Sequence, residues 1–569
     1  MTITEAALAA TLRAEVERLR TQALDLERRF QPALDALPAA RRASAANLIH
    51  YLALRQNELR PLQANLTRLG LSSLGRSEAH ALATLGAVSA VLTRIAGGQG
   101  ESPEAFAAAM DAGTRILRAN SEALLGPAPA GRDTRILVTS STEAAYDPAL
   151  IRAWMECGMN ALRINCAHDD PDTWARMVEN VEAARRAIGR PCRVLMDLAG
   201  PKLRTGDLES GPRVLRFKPL RDEIGRVVEP AHVWLTAAEA PASPPTAAQA
   251  TLPVAAAWLA RLAEGQNVLL RDLRGRLRRL TIQRVLPEGV LATCTRTAYV
   301  GPGTQLWHRE DRADTCVLGE VPPLPREIVL SRGDTLVLTA APVPGRPAES
   351  AGAGGGVQAA TISCTLPQIL AAVRAGEPIW LDDGKIGGTV IGATPAALTI
   401  RIDVVPPGGG KLGADKGINL PRTRHPISGL TEEDRANLPF VVRHADMVGQ
   451  SFVNDPADVA QLQEELQRLG RPDLGIVLKI ETQRAFAALP RILLQALNSP
   501  RAGVMIARGD LAVECGYERL AEVQEQILWI SEAAHLPVIW ATQVLESLAK
   551  RGIPSRAEIT DAAMGDRAE

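Results

Sequence analysis

At 569 residues the chain exceeds one ordinary domain, and its 64 Lys plus Arg against 64 Asp plus Glu give no charge signal for a nucleic-acid partner. Its seven cysteines are scattered, odd in number and without C-x-x-C spacing, which suits a reducing cytoplasm and offers no zinc site. The first residues lack a basic stretch before a long apolar run, so neither a signal peptide nor a membrane span is expected.

Residues 1–128 are rich in Ala, Leu, Arg and Glu and read as a helical domain. One buried stripe is expected at Leu19, Ala23, Leu26 and Phe30, and a second at Leu48, Tyr51, Leu52, Leu59 and Leu62. Gly126–Gly131 is a linker by composition. After it the pattern changes to strand and helix. Residues 135–139, 161–165 and 193–198 read as strands, and Asp147-Pro148 and Asp170-Pro171 as N-caps with proline in the first helical position. The same grammar resumes at 446–451, with a helix start at Asp455-Pro456 and strands near 475–480, 502–507 and 536–541. This alternation implies a parallel sheet, and the count points to a (β/α)₈ TIM-type barrel over 132–206 plus 416–569. Seven strands are visible, and the chain stops where the eighth is expected.

The intervening 207–415 reads as an inserted all-β domain made of two tandem modules, about 207–310 and 320–415. Leu235-Thr236-Ala237-Ala238 returns as Leu338-Thr339-Ala340-Ala341, Leu252-Pro253 as Leu366-Pro367, and the run ending in Asp272 as the run ending in Asp382-Asp383.

Chemistry gathers at strand ends. Lys479-Ile480-Glu481 and Arg508-Gly509-Asp510 each follow an apolar run, and their carboxylates are about one strand-helix repeat apart, which places both at the same open end. Two carboxylates beside an ammonium describe a site for a hard divalent cation next to an anion; taken singly, each motif also reads as a surface ion pair. Only seven of the 64 basic residues are lysine, so lysine is expected where a compact point charge differs from a planar fork.

Nine motifs in order then resemble the pyruvate kinase family: RINCAH at 163–168, DLAGPKLRTG at 197–206, LDDG at 381–384, KGINLP at 416–421, SFV at 451–453, KIET at 479–482, ARGDLAVE at 507–514, ATQVLES at 541–547 and PSRAE at 554–558. The resemblance implies Mg²⁺-dependent phosphoryl transfer from phosphoenolpyruvate to ADP, giving pyruvate and ATP in glycolysis, by a cytoplasmic homo-oligomer without membrane or nucleic-acid partners. It implies Glu481 and Asp510 as ligands of Mg²⁺ (or Mn²⁺), Lys479 as the group that stabilises the phosphoryl in flight, and Arg163 as its clamp from the opposite side. Arg204, Asn165, His168 and Lys416 would meet the nucleotide, with Asp383 in the lid. The N–H groups of Gly509 and Asp510 would receive the substrate carboxylate, with Thr542 beside the carbon that is protonated.

Departures from the family pattern carry their own expectations. The turn after the first strand reads Thr139-Ser140-Ser141-Thr142-Glu143 rather than small residues. Ala167 replaces a hydroxyl, and Lys202 an acidic residue, in the family's monovalent-cation site of which Asn165 and Asp197 remain, so Lys202 is expected to act in catalysis by supplying the charge of K⁺, and no K⁺ requirement is expected. Two other readings use the same residues: a Mg²⁺-dependent aldolase or lyase working through an enolate, and an open, non-catalytic binding module with exposed strand edges.

Overall fold

The apolar runs followed by charged residues form a single curled parallel sheet. The computed structural model describes residues 4–102, 104–244, 248–309, 311–324, 326–350, 357–424, 427 and 429–569. Strands β1 (Leu137–Thr139), β2 (Ala161–Asn165), β3 (Arg193–Asp197), β4 (Met447–Gln450), β5 (Gly475–Ile480), β6 (Ala502–Ala507) and β7 (Val538–Ala541) lie side by side in chain order. Every neighbouring pair is parallel. Between strands the chain returns through helices that start as expected: Asp147, Asp170 and Asp455 each cap a backbone N–H ahead of proline. Gly189 ends the second of these helices at φ 71°, a left-handed conformation that glycine adopts without steric cost.

Alternation along the strands sorts residues between two faces. Outward, Leu162, Ile164, Val194, Met196, Ile476, Leu478, Val504 and Ile506 pack under the helices. Inward, Leu137, Leu195, Met447, Val477, Met505 and Ile539 make an apolar layer. Among the described residues the sheet has seven strands. Between its edges, the Glu569 N–H donates to the Val538 carbonyl at 3.1 Å and the Glu569 carbonyl accepts from the Arg135 N–H at 2.8 Å.

Five helices precede the sheet: α1 (Glu5–Ala36), α2 (Ala39–Arg55), α3 (Arg60–Arg68), α4 (Ala81–Ile95) and α5 (Glu104–Leu125). Leu19, Ala23, Leu48, Tyr51 and Leu62 are buried as their spacing predicts, but Phe30 is 41 % exposed. Ala9, Leu12, Val16 and Leu34 complete the buried side of the 32-residue α1. The helices are fixed to the sheet at two places. Leu124 and Leu125, in the last turn of α5, plug the floor of the inner layer, where Gly475 and Gly503 leave room: a Cβ on either would come within 2.7 Å of Leu124. Beside the loop into β7, the buried His535 ring lies 3.0 Å from Ser44 Oγ and 2.8 Å from the Ala79 carbonyl. Asn47 Nδ2 donates to the Ala533 carbonyl at 2.8 Å.

Residues between β3 and β4 hold two larger antiparallel-rich sheets. The first runs in space 315–317, 305–308, 267–271, 277–286, 289–294, 231–237, 250–254, and the second 418–419, 378–381, 386–393, 397–404, 335–339, 360–363. Both follow the same strand order over their shared length, and in both only the last pair is parallel. The registers correct one expected correspondence. Leu235 pairs with Leu252 and Leu338 pairs with Ile362, so Leu252 answers to Ile362 rather than to Leu366, which lies past the strand at the start of a 3-10 turn. A short shared Leu-Pro string misleads where strand pairing fixes the register.

Candidate active site

Above the apolar inner layer, the next inward positions of the strands form a polar layer at the mouth of the curl. Thr139 pairs in register with Arg163, Asn165 with Asp197, and Asp197 with Gly449, while Lys479 stands two residues beyond Val477. Asp197 is fully buried and is the hub of this layer. Its Oδ2 accepts from Arg163 Nε at 2.9 Å and lies 3.2 Å from Lys479 Nζ. A Cβ at position 449 would come within 2.5 Å of Asp197 Oδ1, so glycine there makes room for the carboxylate. Lys479 Nζ also meets Glu481 Oε1 at 3.1 Å and donates to Ser451 Oγ at 2.7 Å, and Ser451 in turn donates to the Leu198 carbonyl. Glu481 Oε2 accepts the Phe452 N–H at 2.6 Å.

Burial disfavours every charge in this network, and the partners decide the outcome. For Asp197 burial pushes upward, but the Lys479 and Arg163 cations outweigh it and hold the carboxyl below its ordinary range. For Lys479 burial pushes downward, and Asp197 with Glu481 outweighs it, so the ammonium form is favoured. Glu481 is raised: burial leads, Lys479 opposes it, and the neighbouring Asp510 and Asp197 charges add to it.

Asp510 lies in the first turn of the helix Arg508–Cys515 directly after β6, and its Oδ2 lies 3.5 Å from Lys202 Nζ. Gly509 abuts Thr542, whose Cγ2 would lie 3.5 Å from a Cβ at 509. Thr542 is held at φ 75°, and Arg508 fixes that turn by bonding the Ala541 and Thr542 carbonyls while pairing with Asp561.

The second β sheet closes over this helix. Two connecting segments are zipped together, with the Thr205 N–H donating to the Lys416 carbonyl at 2.8 Å and the Ile418 N–H to the Leu203 carbonyl at 2.9 Å. The turn at Asp382-Asp383-Gly384, with both aspartates at positive φ, brings Gly384 against Val513 and the Asp383 carbonyl to Tyr517 Oη at 3.4 Å. Asn419 Nδ2 donates to Glu514 Oε1 at 3.1 Å; burial pushes the Glu514 carboxyl up to about 7.

The anticipated residues thus fall into three groups. Arg163, Asp197 and Lys479 with Glu481 form one connected network, with Lys202, Gly509, Asp510 and Thr542 along its rim. Arg204, Lys416 and Asp383 lie on the lid side: Arg204 pairs with Asp415 at 2.8 Å and Lys416 with Asp382 at 3.5 Å. Asn165 ends β2 and His168 lies on the turn after it; Asn165 Oδ1 accepts the Ala167 N–H and the His168 carbonyl accepts from Trp174 Nε1. Ser451, Arg508, Tyr517 and the Asn419–Glu514 bond were not anticipated. Ser451 and Arg508 stood inside recognised motifs, but nothing in the string marks which neighbour each one holds.

Cations and carboxylates converging at strand ends under a β lid define a protein of the curled parallel α/β class, with a charged cluster where the strands end. The family model described as pyruvate kinase, barrel domain, matches residues 131–222 and 348–565, more than half of the sequence. The chain belongs to the pyruvate kinase family. It is 33 % identical to a pyruvate kinase of Methylorubrum extorquens over 41 % of this chain and 44 % of that protein. Against a pyruvate kinase of Geobacillus stearothermophilus it is 25 % identical over 76 % of this chain and 51 % of that protein, and against human pyruvate kinase PKLR 35 % over 36 % and 34 %. The chain spans about half, or less, of the length of these relatives. The first β sheet, 231–317, lies between the two stretches that the family model matches.

Proposed function

We propose that this chain transfers the phosphoryl group of phosphoenolpyruvate to ADP, giving pyruvate and ATP. The observation that carries the reading is Lys479, a buried ammonium held by Asp197, Glu481 and Ser451 at the mouth, with Arg163 on the same carboxylate. Phosphoryl transfer asks for fixed positive charge around the moving group and for exclusion of water, more than for covalent chemistry.

The donor set fits Mg²⁺, or Mn²⁺ in its place. Glu481 and Asp510 stand at the ends of successive strands, and among the described residues no group of three or more ligating His, Cys, Asp or Glu side chains exists. A hard ion that completes its shell with water and substrate oxygens needs no more than this. When bound there, the ion would supply charge to the phosphate and to the oxygen that becomes the enolate. Lys479 and Arg163 bind the phosphoryl oxygens from two sides. The N–H groups of Gly509 and Asp510, at a helix start, receive the substrate carboxylate, and Thr542 lies beside the carbon that gains a proton. Arg204, Lys416 and Asp383 on the lid, with Asn165 and His168 on the rim, hold the nucleotide. A lid seated on the helix that carries Gly509 and Asp510 keeps water out. It also favours this reading over a lyase, which would have no use for a nucleotide-binding roof.

The architecture proposed with it is a (β/α)₈ barrel over 132–206 plus 416–569, preceded by a helical domain, 1–128, and interrupted by the two-module β insertion, 207–415. The Glu569 backbone, bonded to Val538 of β7 and to Arg135 just ahead of β1, supports an eighth position there. A cytoplasmic homo-oligomer is proposed from the family; among the described residues no helix is long and apolar enough to cross a membrane.

Two expected results follow from the site. Glu481→Gln or Asp510→Asn raises the Mg²⁺ concentration needed for half-maximal activity, because a neutral amide binds a hard cation less well. Metal titrations that superimpose on the parent's would place the ion elsewhere. Activity needs no K⁺: Lys202 brings an ammonium to within 3.5 Å of Asp510, Ala167 supplies no hydroxyl, and Asp197 Oδ2 is engaged by Arg163 and Lys479. Assays in a tetramethylammonium buffer should be unchanged by KCl, whereas strong activation would refute this.

The reaction itself is tested by incubating the chain with phosphoenolpyruvate and Mg²⁺, with and without ADP. ADP-dependent loss of phosphoenolpyruvate is expected, and cleavage of a hydroxy-keto acid in its place would favour the lyase.

A further inference from the structure

The two β modules share a strand order, and one turn recurs in both. Strand 267–271 pairs with 277–281 as 378–381 pairs with 386–389, so the turn 272–276 answers to the turn 382–385. In the second module that turn is seated: Gly384 lies against Val513, and the Asp383 carbonyl accepts from Tyr517. In the first it stands in the open, with Leu273 53 % and Leu277 52 % exposed. Its chemistry differs too, since five of the nine residues 271–279 are arginine and Asp272 is the one carboxylate among them. Asp272 is buried and engaged: its Oδ2 lies 3.1 Å from both Arg274 and Arg278, and its Oδ1 accepts the N–H groups of Arg274 and Arg276. The neighbouring loop, 295–299, adds Arg296 and draws further guanidinium groups to itself. Arg221 donates to the Thr295 carbonyl at 3.0 Å, Arg278 donates to the Thr297 carbonyl at 2.7 Å, and Arg274 lies 4.3 Å over the Tyr299 ring. Arg271, Arg276, Arg279 and Arg296 are exposed, and among the described residues none of them pairs with a carboxylate.

We propose that this arginine-lined turn docks an acidic polypeptide segment of a partner protein, one that carries apolar side chains between its carboxylates. Guanidinium groups gathered without counter-charge repel one another, and carboxylates placed among them relieve that repulsion and accept paired N–H groups. Leu273 and Leu277 select the class of partner, because a phosphate backbone gains nothing from them whereas a polypeptide can cover them. The one aromatic ring of the patch, Tyr299, is already stacked by Arg274 rather than left for a nucleic-acid base. The turn 382–385 shows that this corner of a module can seat on a helix. Residues 271–279 lie outside the stretches that the family model matches, and the surface stands whether or not the mouth carries out phosphoryl transfer.

The test is fluorescence anisotropy of the full chain with a labelled peptide that repeats Glu-Glu-Leu, set beside polyglutamate and single-stranded polyuridylate. The Glu-Glu-Leu peptide should bind most tightly of the three, and more weakly as salt is added. Arg271→Glu with Arg276→Glu should weaken that binding about tenfold or more. Leu277→Ser, which keeps every charge, should weaken it as well and decides the matter if the double variant does not fold. Arg13→Glu, the same change of charge at an exposed position of α1, should leave it unchanged. Absence of binding by the peptide, tighter binding of polyglutamate or polyuridylate, turn variants that bind like the parent, or loss of binding in Arg13→Glu would each overturn the proposal. Sedimentation of the parent and of the double variant should give the same oligomeric state, and dissociation in the variant would make a second copy of this chain the occupant and overturn it too.

Discussion

Lys479→Met should lower turnover by on the order of 10²-fold or more, with a far smaller effect on substrate affinity. The ammonium is the group best placed to meet charge on the phosphoryl in flight, and a thioether of similar length removes the charge while filling the space. The fold should survive the change. Asp197 retains Arg163 as a partner at 2.9 Å. Glu481, whose carboxyl burial already pushes upward, keeps the Phe452 N–H as a partner at 2.6 Å. Steady-state kinetics, read beside a melting curve, check this, and near-normal turnover in a folded variant would refute the role.

Asp197→Ala should cost stability as well as activity, by roughly 3–5 kcal/mol, the scale for removing one partner of a buried ion pair. Two cations converge on Asp197 Oδ2, so alanine leaves both Arg163 and Lys479 without that partner. Lys479 keeps Glu481, but Arg163 is left with Thr139 Oγ1 at 3.3 Å. Both groups would then lose the position in which they meet the substrate. Asp197→Asn should be milder for stability, since the amide oxygen still accepts a hydrogen bond. Denaturant unfolding of the two variants gives the comparison. An alanine variant as stable as the parent would show that the network is solvated and not the rigid base that the site requires.

Local chemistry explains what the sequence made legible. Residues 475–480 and 502–507 are strands as expected, because mostly apolar runs buried on both faces stand there. The Asp-Pro helix starts are equally local. Lys479, Glu481 and Asp510 could be placed at one end of the sheet because parallel strands put all their carboxyl ends on the same side. What could not be read depends on partners distant in sequence. Ser451 holds Lys479 across 28 residues, Asn419 reaches Glu514 across 95, and Arg163 meets Asp197 across 34. Asp197 was anticipated as a remnant cation ligand, whereas its geometry makes it the anchor of both cations. Phe30 shows that helical spacing states which residues share a face, not that each of them is covered.

The most direct measurement of the central claim is a ³¹P NMR time course of the chain with phosphoenolpyruvate, ADP and Mg²⁺. The phosphoenolpyruvate resonance should decay as the γ-phosphate of ATP grows in equal amount, with pyruvate formed in step. A folded chain that leaves phosphoenolpyruvate intact, or converts it to inorganic phosphate regardless of ADP, would contradict the account.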